Sequence, residues 1–199
     1  MLTKGFWRNQ VRTAHWLLGI WAAISILLGG ILTSYHQPFV VPGERILALA
    51  PDAGKGGWRA IHLLSGSCGC SQTVMKHLLK RHLLEGVSEE IVLVDGPERY
   101  LPGSADLVNG LEAEGFRVNH INAQDVPADS GLRGVPLLVF SAPGNNVAYI
   151  GGYGATGDGD NAIYDRIRHG NKVEVLPVRG CAIGERIRRK ADPFRLKYF

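Results

Sequence analysis

The sequence predicts an α/β domain held behind a single apolar N-terminal helix. Three observations predict it. Ala14 to Leu32 is a run of nineteen residues without an acid, Lys or Arg, long enough to cross a bilayer. Beyond residue 57, short apolar runs alternate with stretches of helical periodicity, the pattern of a sheet covered by helices. The first of those runs ends in Ser-Gly-Ser, and two cysteines one residue apart, Cys68 and Cys70, stand at the start of a helical pattern.

The apolar run decides the organisation of the chain. Lys4, Arg8 and Arg12 precede it and the next basic residue is Arg45, so the positive flank is N-terminal and is expected to stay in the cytoplasm. Trp16 lies at the head of the run, where an interfacial aromatic is tolerated. The apolar core is longer than that of a cleaved signal peptide, and no A-x-A site stands near Thr33–Ser34. Residues 13–34 are therefore expected to be an uncleaved signal anchor in the inner (cytoplasmic) membrane. Residues 1–12 would be cytoplasmic, and everything from 35 onward would lie in the periplasm or its equivalent. Disulfides are allowed there. Three cysteines leave one pair plus one thiol, or three thiols around a metal.

The net charge of +4 hides an uneven distribution. Residues 36–178 carry a net −4 and residues 179–199 a net +5. A basic tail on a mildly acidic body points to anionic lipid or an acidic partner face, or to a tail that is simply solvated. The exported location disfavours nucleic acid.

After the anchor, residues 35–57 hold three prolines and four glycines and read as a juxtamembrane linker, with a short element at Arg45–Ala50. Trp58–Ser65 is the first strand. The helix from Cys70 to Glu85 follows, with Val74, Met75, Leu78, Leu79, Leu83 and Leu84 at helical spacing and Gly86 as its stop. Ile91–Val94 suits a strand buried on both faces. Ser104 caps a second helical pattern through Glu114, ending at Gly115. Arg117–Asn122 reads as a short strand and Ala123–Gly134 as a polar loop. Leu137–Ser141, a turn at 143–146 and Val147–Ile150 form a hairpin. Asp160–His169 is a last short helix, and Asn171–Phe199 is a basic extension carrying Cys181.

The chemistry is expected at the cysteine pair. A thiol in the first turn of a helix faces unpaired N–H groups and the positive end of the helix dipole, both of which favour the thiolate. Cys68 or Cys70 should therefore be more acidic than an ordinary cysteine.

Residues 58–170 resemble the thioredoxin-like superfamily, most nearly its membrane-anchored periplasmic branch of TlpA/ResA type. The resemblance rests on Ser67-Cys68-Gly69-Cys70-Ser71 at the first strand–helix junction, on Arg133-Gly134-Val135-Pro136 before an apolar strand, and on Gly151-Gly152-Tyr153 after the hairpin. It implies a central mixed sheet flanked by helices, a cis proline at Pro136 beside the cysteines, and a substrate groove shaped by Val135 and Pro136. The implied activity is thiol–disulfide exchange on exported proteins with thiols or disulfides, as a thiol–disulfide oxidoreductase without a cofactor. Cys68, expected to be the better exposed, would be the attacking thiolate and Cys70 its resolving partner.

Two features depart from that family. Ser67 replaces the familiar tryptophan, and the spacing is C-x-C rather than C-x-x-C. A disulfide between residues i and i+2 closes a ring of about eleven atoms, in which dihedral preferences are hard to satisfy. Such a bond would be oxidising or transient, with Gly69 relieving part of the strain through backbone freedom. Cys181 is a candidate third thiol, either resolving, pairing permanently, or inert. The competing reading makes Cys68, Cys70 and Cys181 ligands of copper in a delivery or assembly factor. Copper chaperones of the Sco type share the thioredoxin fold, but they carry C-x-x-x-C and a distal histidine. His62, His77, His82, His120 and His169 have no ligand-like spacing to the cysteines, and His77 and His82 are expected at the surface. A third reading is a docking module that has lost its chemistry.

Overall fold

The computed structural model describes residues 4–36, 38–50 and 56–192, except the side chains of 4–14, 33–36 and Pro97. The chain divides into two units, one holding the first helix and one running from Pro38 to Ala191. Helix α1 spans Lys4–His36, and within it His15–Leu32 is long and apolar enough to cross a membrane. At about 1.5 Å per residue that window approaches the ~30 Å hydrocarbon core.

The second unit is built on a five-stranded mixed sheet ordered β3-β2-β1-β5-β6. β1 (Trp58–Leu64) pairs in parallel with β2 (Val87–Leu93), which pairs in parallel with β3 (Arg117–His120). On its other side β1 pairs antiparallel with β5 (Leu137–Ala142), which forms a hairpin with β6 (Asn146–Gly151). A separate two-stranded ladder joins β4 (Gly134–Val135) to β7 (Cys181–Ala182). β1 lies at the centre, so its apolar residues are buried on both faces, as a near-continuous apolar run requires.

Alternation along the strands sends side chains to two cores. Ala60, Leu64, Ile91, Leu93, Leu138 and Phe140 face α2 (Gly69–Arg81), α3 (Ser104–Ala113) and α4 (Asp160–Arg168), meeting Val74, Met75, Leu78, Val108, Leu111 and Ile163. Ile61, Leu63, Val92, Leu137 and Val139 point the other way.

That second face is covered by the two segments expected to lie outside the domain. Ile46 and Ala50, in and beside the short helix Glu44–Leu49, are fully buried against it, and so are Val178 and Ile183. Phe39 bridges to Val178 with an N–H···O bond of 2.8 Å. The compact unit is therefore wider than 58–170. The segment 38–50 is a packed element, and residues 176–191 form part of the body, continuing into α5 (Gly184–Ala191). The physical reason is area: α2, α3 and α4 lie on the opposite face, and without those segments the apolar side chains of β1, β2 and β5 would meet water.

Two boundaries also differ. α2 stops at Arg81, and His82 takes φ 60°. Leu83 and Leu84 leave the helix because the Leu84 N–H turns to cap the buried Glu89 carboxylate. β2 begins four residues earlier than its apolar run, because Glu89 and Glu90 are buried with partners.

Candidate functional site

Cys68 follows the loop at the end of β1 and caps the N-terminus of α2 with extended backbone angles. Its amide donates to the Ser65 carbonyl at 3.2 Å, and its own carbonyl accepts the first helical bond, from Gln72, at 3.0 Å. The thiol is completely buried and donates to the Val135 carbonyl at 3.8 Å. The Val135–Pro136 bond is cis, and the Val135 carbonyl faces the cysteine motif. Cys70, one residue into the helix, is exposed, and Cys181 is half-buried. All three are thiols.

The exposure pattern is the reverse of the expected one. Cys68 is expected to be the better exposed, but at the N-cap position it is buried against Val135, while Cys70 in the first turn is exposed.

The environment of Cys68 favours its thiolate. Hydrogen bonds from the thiols of Cys181 and then Cys70 hold its pKa down to about 3, with smaller help from the Ser71 N–H and hydroxyl, against the opposing effect of burial. Cys181 reaches this position because the β4–β7 register sets it opposite Val135.

The loop before Cys68 is clamped rather than free. The buried Asp95 carboxylate at the end of β2 accepts from the Ser65 hydroxyl at 2.7 Å and from the Gly66 and Ser67 amides at 3.0 Å each. Gly66 is the one residue type that fits here, since a Cβ would lie 2.2 Å from the Tyr100 ring. On the other side Arg188 of α5 donates to Ser67 Oγ at 3.3 Å and to the Ala182 carbonyl at 3.1 Å. Gly69, between the two cysteines, sits in ordinary helical backbone with nothing within 4 Å of a Cβ. Its φ is not positive, so the backbone freedom expected of it is not used among these thiols.

A second polar cluster lies within the helix-covered face, and its members were invisible as a group in the sequence. His62 Nε2 contacts Glu89 Oε2 at 2.9 Å and its Nδ1 meets the Tyr153 hydroxyl at 2.5 Å. Arg81 clasps Glu89 with two N–H groups and reaches Asp160 Oδ2 at 2.7 Å. His77, expected at the surface, instead bonds Asp160 Oδ1 at 2.7 Å, whereas His82 is indeed exposed. Burial raises the Glu89 pKa, but hydrogen bonds from His62 and Arg81 outweigh it and bring it to about 2. The cluster fixes the far end of α2 to β2 and to the start of α4, and so aims the helix whose N-terminus carries the cysteines.

Among the described residues, no group of three His, Cys, Asp or Glu side chains is arranged to hold a metal ion.

The sheet order, the thiol at the β1–α2 junction and the proline strand facing it together decide the architecture. The fold is thioredoxin-like. No protein-family model and no curated protein sequence matches the chain. Among solved structures, an uncharacterised conserved protein from Geobacillus kaustophilus aligns with a TM-score of 0.50 at 17% identity, over 74% of this chain and 88% of that one. A hypothetical protein from Sinorhizobium meliloti 1021 gives 0.51 at 16% identity, over 74% and 90%. A candidate thiol-disulfide oxidoreductase from Bacteroides vulgatus (14% identity, 55% and 72% covered) and copper-bound ScoI from Bradyrhizobium japonicum (15%, 67% and 98%) each align at 0.34. For the first two, at these identities, the likeness is one of fold.

Proposed function

We propose that the chain is a membrane-anchored thiol–disulfide exchange protein of the TlpA/ResA type, acting on exported proteins from the periplasmic side. One observation carries the reading: an exposed thiol, Cys70, is hydrogen-bonded to a buried and acidic one, Cys68. Cys70 attacks one sulfur of a client disulfide, and its proton passes to the client sulfur that is expelled. Cys68, already a thiolate, attacks Cys70 Sγ and expels the second client sulfur, which takes up a proton from solvent, leaving a Cys68–Cys70 disulfide and a client dithiol. The reverse sequence oxidises a client. Val135 and Pro136 are buried beside the pair, and the Val135 carbonyl faces the resolving sulfur of Cys68. A buried, low-pKa thiol is also a good leaving group, so in the reverse direction a client thiolate that attacks Cys70 Sγ expels Cys68 readily.

The test is catalysed exchange between glutathione and a disulfide-bonded peptide by the full chain in detergent. Cys70→Ala should abolish the catalysed rate, and Cys68→Ala should accumulate a mixed disulfide on Cys70. A Cys70→Ala protein as active as the parent contradicts the reading.

A copper-delivery role uses the same residues. Its support is that Cys70 and Cys181 each bear on Cys68 and that thiols are soft donors; a single tightly bound Cu(I) that blocks alkylation of all three would favour it. In either role, the exposed Arg186, Arg189 and Lys190 of α5 offer cations for anionic headgroups or an acidic partner face.

A further inference from the structure

The C-terminal segment is pressed onto the site at three glycines. The Gly152 amide donates to the Leu176 carbonyl at 2.8 Å, and a Cβ on Gly152 would lie 2.2 Å from the Pro177 carbonyl. A Cβ on Gly151 would lie 2.9 Å from the Leu176 carbonyl. A Cβ on Gly180 would lie 2.0 Å from the Val135 carbonyl and 2.7 Å from Pro136 Cδ. Main chain therefore lies directly against main chain, and this approach delivers Cys181 to the register position opposite Val135. Arg188 then ties the same segment to the motif loop, through the Ala182 carbonyl on one side and Ser67 Oγ on the other.

Resting on the exchange reading above, we propose that Cys181 is the third station of a disulfide relay, and that Arg188 is the positioning residue that holds it there. Client exchange leaves a Cys68–Cys70 disulfide in a ring of about eleven atoms, which resists the preferred geometry. The Cys181 thiolate attacks Cys68 Sγ; the Cys68–Cys70 bond breaks, and its electron pair leaves on Cys70 sulfur. Cys70 takes up the proton that Cys181 gave up. One disulfide replaces another, with no net oxidation and no further reagent. The oxidising equivalent is then stored in a buried Cys68–Cys181 bond, closed over a long chain loop and free of the small-ring constraint. Cys70 is restored as an exposed thiol, and the stored disulfide is discharged when the same steps run in reverse onto a client dithiol.

The experiment is disulfide mapping of the full chain in detergent, equilibrated in glutathione buffers, alkylated, digested and read by mass. The expected wild-type map has Cys68 bonded to Cys181 and Cys70 alkylated. Cys181→Ala should shift the bond to Cys68–Cys70 and raise its midpoint potential. Arg188→Gln should raise the Cys68–Cys70 fraction several-fold, Arg188→Lys should restore part of the wild-type distribution, and Arg168→Gln, exposed on α4, should leave it unchanged. A wild-type map showing only Cys68–Cys70, with Cys181 alkylated throughout, overturns the relay and leaves the exchange reading intact. Three alkylated cysteines in every oxidising buffer overturn both. Equal maps for Arg188→Gln and wild type overturn the role of Arg188.

Discussion

Cys181 stands directly across the β4–β7 pair from Val135, and the Val135 carbonyl is the atom that the buried Cys68 thiol faces at 3.8 Å. A single backbone pairing thus brings together two cysteines that are far apart in sequence. The thiolate at Cys68 depends on that pairing more than on the helix alone, because the Cys181 thiol is its foremost stabiliser.

Thiolate titration follows from this. Wild-type Cys68 should remain ionised far below the ordinary thiol range, and Cys181→Ala should raise its pKa more than Cys70→Ala does. The measurement is ultraviolet thiolate absorbance against pH. The linkage has a definite sign. The folded pKa is about 3 and the unfolded reference 9.0, so between them the unfolded chain binds the extra proton. The stabilising contribution is full above the unfolded value and is lost as pH falls through the folded one. Cys68→Ser should flatten that part of the stability profile.

Two glycine substitutions separate the motif from its covering strand. Gly180→Ala drives a Cβ into the Val135 carbonyl and should displace β7, raising the Cys68 pKa while the five-stranded sheet stays folded. Gly69→Ala meets open space in helical backbone and should be neutral or slightly stabilising, by up to about 1 kcal/mol. Thermal denaturation paired with thiol titration reads both.

Glu89 should govern acid stability. Its pKa is about 2 in the fold against 4.5 when unfolded, so its contribution is present above 4.5 and is lost as pH falls toward 2. Glu89→Gln removes one of the two buried carboxylates paired with Arg81, Asp160 being the other, and should cost up to about 3–5 kcal/mol at neutral pH. The acid-dependent slope between those values should shrink with it. Denaturant titration at a series of pH values checks both.

Asp95 should control the loop that presents Cys68. Asp95→Ala removes the acceptor shared by two amides and a hydroxyl, of which the Ser67 N–H keeps Ser65 Oγ and the Ser65 hydroxyl keeps Ser67 Oγ as second partners. It should cost about 1–3 kcal/mol. Hydrogen exchange at Gly66 and Ser67 should rise in that variant, and Asp95→Asn, which keeps one acceptor, should show a smaller effect.

Much of the architecture is readable from local pattern. The strand, thiol motif and helix from Trp58 to Arg81 announce themselves through periodicity, and the hairpin at 137–151 through its turn residues. What escapes the sequence is whatever depends on distant partners. Ile46 and Val178 look like linker and tail residues until the uncovered face of the sheet is seen. His62, His77, Arg81, Glu89, Tyr153 and Asp160 sit on five separate stretches, so no spacing reveals that they form one network. The one local cue is Glu89-Glu90 running straight into an apolar strand. The inward turn of Cys68 is hidden for a different reason: it follows from the N-cap backbone angles and from the carbonyl above it, neither of which composition records.

The most direct measurement of the central claim is the redox equilibrium of the full chain with glutathione, followed by quantitative alkylation. The account predicts one reversible two-electron couple, with a midpoint well above the roughly −300 mV of structural disulfides, and loss of that couple in Cys68→Ser. Thiols that stay fully alkylatable across the whole range of buffers, or a disulfide too stable for glutathione to reduce, would contradict it.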